Sequence, residues 1–191
     1  MNIAVIALTE QGSKTAKRIR SGFIPTPSIY VLNKVTQDTC FTESDKSARI
    51  TLFSEPLQQL VQQIFKQYDG LVFVMAMGIV VRMIAPYIRD KHTDPAIVVV
   101  DDVGRFVISA LSGHEGGANQ LAHQIAAILH TDAVITTGTD AQKDIIIGIG
   151  CKKGISGEIV KKSIIDALQK VNRKIEDVRL LSTIDIKSKE P

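Results

Sequence analysis

The 191-residue chain has no tryptophan and only three tyrosines and six phenylalanines, so its core must be built mainly from aliphatic side chains. Its two cysteines, Cys40 and Cys151, are far apart and form no CxxC pair. Free thiols in a reducing compartment are the expected state. The longest apolar run, residues 71–81, is interrupted by Gly78 and ended by Arg82. That is well short of the roughly 20 residues a helix needs to cross a bilayer. The opening stretch, residues 2–8, is too short for a secretory leader and no cleavage-like site follows it. A cytoplasmic protein with no membrane partner is therefore expected. Charge of one sign is also scarce: 23 Lys and Arg stand against 20 Asp and Glu, a net +3. With no RNA- or DNA-binding motif in view, no nucleic-acid partner is expected, while an acidic small molecule suits the balance. Neither a G-x-G-x-x-G nor a Walker pattern occurs, and Gly148, Gly150 and Gly154 have the wrong spacing for a dinucleotide turn. His92, His123 and His130 lack companions at metal-ligand spacing, so no metal site is expected.

What is present is an alternation. Short, fully apolar runs at residues 3–8, 71–75 and 96–100 read as strands buried on both faces. Residues 28–32, 49–53, 105–109 and 133–136 read as further strands. Between them lie helical patterns: a basic helix through Lys14, Lys17, Arg18 and Arg20, and an amphipathic one from Leu57 to Tyr68. Ser54 is its candidate N-cap, with Pro56 in the first turn. A helix at residues 79–84 is limited by Pro86. Another, at residues 118–129, buries Leu121, Ile125, Ala126 and Leu129. Residues 33–48 are polar and show no clear element. Asp101-Asp-Val-Gly104 reads as a hairpin turn. The pattern implies an α/β fold: a mostly parallel sheet with helices on both faces. Residues 1–141 form one domain. After a seam at residues 141–144, residues 145–191 begin a second, truncated α/β unit, with Ser156 as candidate cap of its helix. Ligands of such sheets bind outside the carboxyl ends of strands. Four turns are expected there: residues 9–13, 76–79, 110–117 and 136–140.

The most informative of these is Leu111-Ser-Gly-His-Glu-Gly-Gly-Ala-Asn119. Three glycines let backbone N–H groups approach a ligand, and the following helix N-terminus favours negative charge. His114 can serve as general base or as donor to a carboxylate, and Glu115 can polarise it or act alone. Asn119 can orient a substrate or cap the helix. Ser112 lacks a nucleophile-elbow context. Arg82, Arg89 and Lys91 can clamp carboxylates. Asp101 and Asp102 can supply an acid or base, although a hairpin turn explains them nearly as well. Residues 136–140 offer hydroxyls and a carboxylate as a second wall of the same cleft. Each group also has a bland reading as a turn, cap or solvated charge. From pattern alone, a nucleotide- or phosphate-binding module stays open.

A set of motifs goes further. Gly78-Ile-Val-Val-Arg82, Ile84-Ala-Pro86, Asp90-Lys91, Asp94-Pro95, Val98-Val-Val-Asp101, Leu111-Ser-Gly-His114, Gly116-Gly-Ala-Asn119, Ile135-Thr-Thr137 and Thr139-Asp140 occur in this order. Together they resemble the CbiG family of cobalt-precorrin-5A hydrolases in anaerobic cobalamin biosynthesis. Residues 70–140 carry the match. Residues 145–191 resemble the start of a C-terminal CbiG-like or CobE-like domain that stops early, with the usual middle segment absent. Glu115 stands where an apolar residue is expected in many relatives. The resemblance implies a corrinoid substrate that carries a δ-lactone and many carboxylates. Water opens the lactone and a two-carbon fragment leaves as acetaldehyde. It implies no cofactor, since cobalt enters with the substrate. On this basis the expected catalytic residues are His114 as base, with Asp101 or Asp140 for the second proton. Gly78, Arg82, Lys91, Ser112, Gly113, Gly116, Gly117, Asn119 and Thr137 are the expected substrate-binding residues. A second copy of the chain and other enzymes of cobalamin synthesis are the open protein partners. A corrinoid-binding or scaffolding protein without turnover is the alternative function.

Overall fold

A computed structural model describes residues 1–35 and 49–184 of the chain. Cys40, most of the polar stretch 33–48 and the tail beyond residue 184 lie outside the described residues. The chain divides into two compact units, Met1–Ile135 and Thr136–Pro191. The division falls a few residues before the expected seam, so that residues 136–141 belong to the second unit.

The first unit is one seven-stranded sheet in the order β3-β2-β1-β4-β5-β6-β7. Its strands are β1 (Ile3–Ala7), β2 (Ser28–Leu32), β3 (Ile50–Phe53), β4 (Gly70–Val74), β5 (Ala96–Val100), β6 (Phe106–Leu111) and β7 (Asp132–Val134). β1 to β5 are mutually parallel. Their central members are buried at every position because helices cover both faces, as the unbroken apolar runs require. Side chains alternate between the faces. Val5, Val72, Val74 and Val98 pack with α1 (Glu10–Ser21) and α4 (Ala118–Leu129). Ile6, Leu71, Phe73 and Val99 pack with α2 (Leu57–Ile64) and α3 (Met77–Ile84).

β6 breaks the parallel pattern. The turn at residues 101–104 sends it back antiparallel along β5, with Val100 opposite Val107 and Ile97 opposite Leu111. Gly104 takes φ +75°, and its N–H donates to the Asp101 carbonyl at 2.9 Å. Asp101 Oδ1 accepts from the backbone N–H groups of Arg105 and Phe106, each at 2.7 Å. The carboxylate thus closes the turn, the role expected of an aspartate at that position. β7 runs parallel to β6.

This reversal corrects one expectation. The loops after β1 and β4 do sit at the carboxyl ends of the parallel strands. The glycine-rich loop after β6 instead sits at their amino ends, below Ile97. A strand of β5's length spans about 17 Å, so the two poles of the sheet are separate places.

Local differences have simple causes. Thr9 caps α1, its Oγ1 accepting from the Gly12 N–H at 2.8 Å, so the helix starts inside the expected turn. α2 starts after Pro56 without a side-chain cap, and Ser54 is not its N-cap. The Ser54 hydroxyl accepts from the Asn33 side-chain amide instead. α2 ends at Ile64, and Tyr68 pairs hydroxyl to hydroxyl with Tyr30 at 2.9 Å.

The second unit contains α5 (Gly138–Ala141), β8 (Ile145–Gly148), α6 (Gly157–Lys170) and β9 (Val178–Ser182). β8 and β9 form a two-stranded parallel sheet. Ser156 stands at the N-cap of α6 but makes no side-chain cap bond. Among the described residues, no helix is long and apolar enough to cross a membrane.

Candidate functional site at the amino pole of the sheet

Residues 112–117 connect β6 to α4 in a tight loop whose conformation depends on particular residues. Ser112 lies in the left-handed region at φ +56° and Gly117 at φ +86°. Gly117 is the N-cap of α4 and has no side chain to satisfy the first N–H groups. The loop supplies some of that need itself: the Ala118 N–H donates to the Ser112 carbonyl at 3.1 Å, and the Asn119 N–H to the Gly113 carbonyl at 3.0 Å. A Cβ on Gly116 would stand 2.3 Å from Ser112 Cβ and 2.8 Å from the Ser112 carbonyl oxygen. Only glycine allows the two strands of the loop to touch in this way.

The polar side chains of the loop are partly committed. The buried Ser112 hydroxyl donates to the Asp94 carbonyl at 3.1 Å, tying the loop to the turn before β5. Asn119 is 6% exposed, and its Oδ1 accepts from the Ser109 hydroxyl at 2.7 Å. Asn119 therefore braces α4 against β6 rather than capping the helix. His114 is exposed on the loop.

Residues 85–95 return from α3 to the start of β5 and reach the same pole. Asp94 holds this turn, its Oδ2 accepting from the N–H groups of Arg89 at 2.7 Å and Asp90 at 3.0 Å. Asp90 Oδ1 accepts from the His92 N–H at 2.9 Å. The turn carries Lys91 and His92 to the glycine loop. Lys91 Nζ lies 3.0 Å from Glu115 Oε1, and His92 Nδ1 lies 2.8 Å from Glu115 Oε2. The Lys91 hydrogen bond is the chief cause that holds the Glu115 carboxyl below the usual glutamate range; the neighbouring His92, Lys91 and His114 charges add to it.

A cleft of about 560 Å³ opens beside this cluster. It is bounded by the segment that follows α2 (Phe65, Lys66, Tyr68 and Asp69), by Arg89 and His92 to Pro95, and by Glu115 and Gly116. Its carboxylates are already engaged. Asp69 accepts from the Asn2 N–H, Asp94 from its own turn, and Glu115 from Lys91 and His92. Lys66 and Arg89 set two cations among these three carboxylates, so the lining carries both signs of charge. A second hollow of about 610 Å³, mostly apolar, lies on the other side of the loop, where Gly117 meets Met1, Phe23 and Leu121.

The structure thus brings together Lys91, Ser112, Gly113, His114, Gly116, Gly117 and Asn119. It does not bring Gly78, Arg82 or Asp101 to them. Gly78 opens α3 at the opposite, carboxyl pole, and Arg82 folds back along that helix towards the Gly78 carbonyl at 3.5 Å. Asp101 closes its turn at the same far pole. Thr137 and Asp140 belong to the second unit. There Thr137 is the N-cap of α5, and Asp140 pairs with Lys143 at 2.5 Å. Among the described residues, no group of three or more His, Cys, Asp or Glu side chains is placed to hold a metal ion.

Comparison with known proteins decides the kinship. The profile described as cobalamin synthesis G N-terminal matches residues 59–140, and that described as cobalamin synthesis G C-terminus matches residues 145–191. The chain belongs to the cobalamin synthesis G family. The cobalt-precorrin-5A hydrolase of Priestia megaterium is 41% identical over 151 residues, which is 78% of this chain and 38% of that protein. The cobalt-precorrin-5A hydrolase of Salmonella typhimurium is 40% identical over 143 residues, 74% of this chain and 37% of that protein. The chain spans less than two fifths of the length of either relative. A crystal structure of a cobalamin biosynthesis protein G homologue from Sulfolobus solfataricus shares the fold, with a TM-score of 0.51 at 19% identity over 98% of this chain and 76% of that one. The N-terminal profile runs from within α2 through the glycine loop, so the family match covers the residues that line the 560 Å³ cleft.

His92 and Lys66 are the site residues that sequence reasoning missed. In the sequence His92 stands out only as a candidate metal ligand, because its carboxylate partner Glu115 is 23 positions away in the chain. The hairpin turn at residues 101–104 was the signal that places the glycine loop at the amino pole, since a hairpin reverses the strand that follows it.

Proposed function

We propose that the chain takes part in cobalamin synthesis as a cobalt-precorrin-5A hydrolase, acting in the cytoplasm on a polycarboxylate corrinoid. The observation that carries this reading is the 41% identity to the Priestia megaterium hydrolase across 78% of the chain. Lys66, Arg89 and Lys91 and the glycine-loop backbone at the amino pole support it, because a corrinoid ringed with carboxylates needs positive groups and backbone donors. On this reading water opens the δ-lactone, and the two-carbon fragment then leaves as acetaldehyde. His114 takes the proton of the attacking water. The N–H groups of Gly116 and Gly117 receive the developing oxyanion or a substrate carboxylate. Lys91 and Arg89 hold peripheral carboxylates. Cobalt belongs to the substrate, and no further cofactor takes part.

The test is anaerobic incubation of the protein with cobalt-precorrin-5A, with acetaldehyde measured in the head space and the corrinoid followed by mass spectrometry. Release of acetaldehyde in proportion to substrate supports the hydrolase. One observation favours a second reading, a corrinoid-binding protein without turnover: Asp101, an expected acid–base partner of His114, lies at the far pole of the sheet. Tight binding of the corrinoid with no acetaldehyde selects that second reading.

A further inference from the structure

The proposed reaction has two proton-transfer stages, opening of the lactone and cleavage of a carbon–carbon bond. His114 accounts for the first, and Asp101 is too remote for the second. The amino pole holds another group with the geometry of an acid–base residue. His92 Nδ1 faces Glu115 Oε2 at 2.8 Å, and its backbone N–H is pinned by Asp90 Oδ1 at 2.9 Å. His92 lines the 560 Å³ cleft, and Glu115 lines it beside Gly116. A carboxylate on Nδ1–H fixes the tautomer and leaves Nε2 with a lone pair, which is the arrangement a general base requires. Lys91 holds the other oxygen of Glu115 at 3.0 Å, so the carboxylate is anchored from two sides.

We propose that His92 is the acid–base residue of the carbon–carbon cleavage stage, and that Glu115 is its positioning residue. This rests on the hydrolase reading above. Once the lactone is open, the two-carbon arm carries a free hydroxyl. His92 Nε2 takes the hydroxyl proton, and the O–H electron pair becomes the second carbon–oxygen bond of acetaldehyde. The carbon–carbon bond to the macrocycle breaks, and its electron pair passes into the conjugated ring. The imidazolium then returns the proton to that ring system. The stage consumes no water and no oxidant; the single water of the overall reaction is taken up when the lactone opens.

The two stages can be separated by mass. The full chain is incubated anaerobically with cobalt-precorrin-5A as wild type and as His92→Gln, Glu115→Gln and Glu115→Asp. In His92→Gln the substrate is still converted to a species heavier by one water, which accumulates, while acetaldehyde release falls by about 10²- to 10⁴-fold. In Glu115→Gln acetaldehyde release falls less, and the acidic limb of its pH profile moves to lower pH. The cause is loss of one negative charge facing the imidazole, where Lys91, Arg89, Lys66, His114, Asp69, Asp90 and Asp94 remain. Glu115→Asp recovers part of the profile, which a merely structural role of Glu115 would not produce. Acetaldehyde release by His92→Gln at the wild-type rate overturns the proposal, as does loss of both stages together in a variant that melts like wild type. A wild type that binds the corrinoid but yields neither the hydrated species nor acetaldehyde overturns the hydrolase reading itself.

Discussion

Replacing Gly116 by alanine adds one methyl group at the tightest point of the molecule. The new Cβ would stand 2.3 Å from Ser112 Cβ and 2.8 Å from the Ser112 carbonyl, where ordinary contact begins near 3.4 Å. Neither neighbour is the free end of a flexible side chain, so the backbone of residues 112–117 must open by about 1 Å. Overpacking of this kind costs about 1–3 kcal/mol. The opening also strains two hydrogen bonds, from the N–H groups of Ala118 and Asn119 to the Ser112 and Gly113 carbonyls, each worth about 1 kcal/mol. A total loss of about 2–4 kcal/mol follows, equivalent to a fall in Tm on the order of 10 °C for a chain of this size. Gly138→Ala is the control, because no atom lies within 4 Å of the Cβ it would add. Calorimetry of both variants against wild type reads the difference directly. A Gly116→Ala protein that melts with the wild type would show that the loop yields freely, and would refute the claim that contact with Ser112 selects glycine there.

Other substitutions read other parts of the structure. Ser112→Gly relieves a left-handed backbone at φ +56° but removes the hydroxyl bond to Asp94. The two effects are each about 1 kcal/mol and of opposite sign, so urea unfolding should place it near wild type and well above Ser112→Ala, which only loses. Burial and the Tyr68 hydroxyl raise the Tyr30 pKa well above 10. The folded state then holds that proton more tightly than the unfolded chain, so the stabilisation is whole below pH 10 and is lost as pH rises through the folded value. Tyr30→Phe should flatten this alkaline loss in a pH series of thermal melts, and an unchanged slope would contradict the assignment. Arg82 is exposed, and its guanidinium donates to the Gly78 carbonyl one turn back in its own helix. Arg82→Ala should therefore change stability by less than about 0.5 kcal/mol, and on the proposed reading it should leave corrinoid affinity in an absorbance titration unchanged, because it stands at the pole away from the cleft; a clear drop in affinity would contradict the placement of the site.

The elements that could be read from the sequence are those whose signal is local. The runs 3–8, 71–75 and 96–100 admit no polar residue, and a strand covered on both faces is the short element that explains this. They became β1, β4 and β5, the centre of the sheet. Thr9, Gly104 and Gly117 sit where a cap or a positive φ is needed, and each marked a boundary within a few residues. Ser54 misled because a favourable cap residue near a helix start is only a propensity; Pro56 fixed the start, and the Ser54 hydroxyl found Asn33 instead. The candidate site was legible only in part. The loop 112–117 and Lys91 announced themselves by composition and spacing, whereas His92 needs Glu115, brought to it by the folding of two separate loops.

By itself, the sequence determined that this is a layered α/β protein, that a glycine-rich loop opens α4, and which family it belongs to, because each of these depends on patterns a few residues long. Only the tertiary structure decided where that loop lies. The hairpin at residues 101–104 turns β6 back along β5, and that reversal carries residues 112–117 from the carboxyl pole to the amino pole. It separates His114 from Asp101 by the length of a strand and joins Glu115 to Lys91 and His92. Residues close in the chain are placed by local geometry, but partners distant in the chain meet only where strand direction brings their loops to the same end of the sheet.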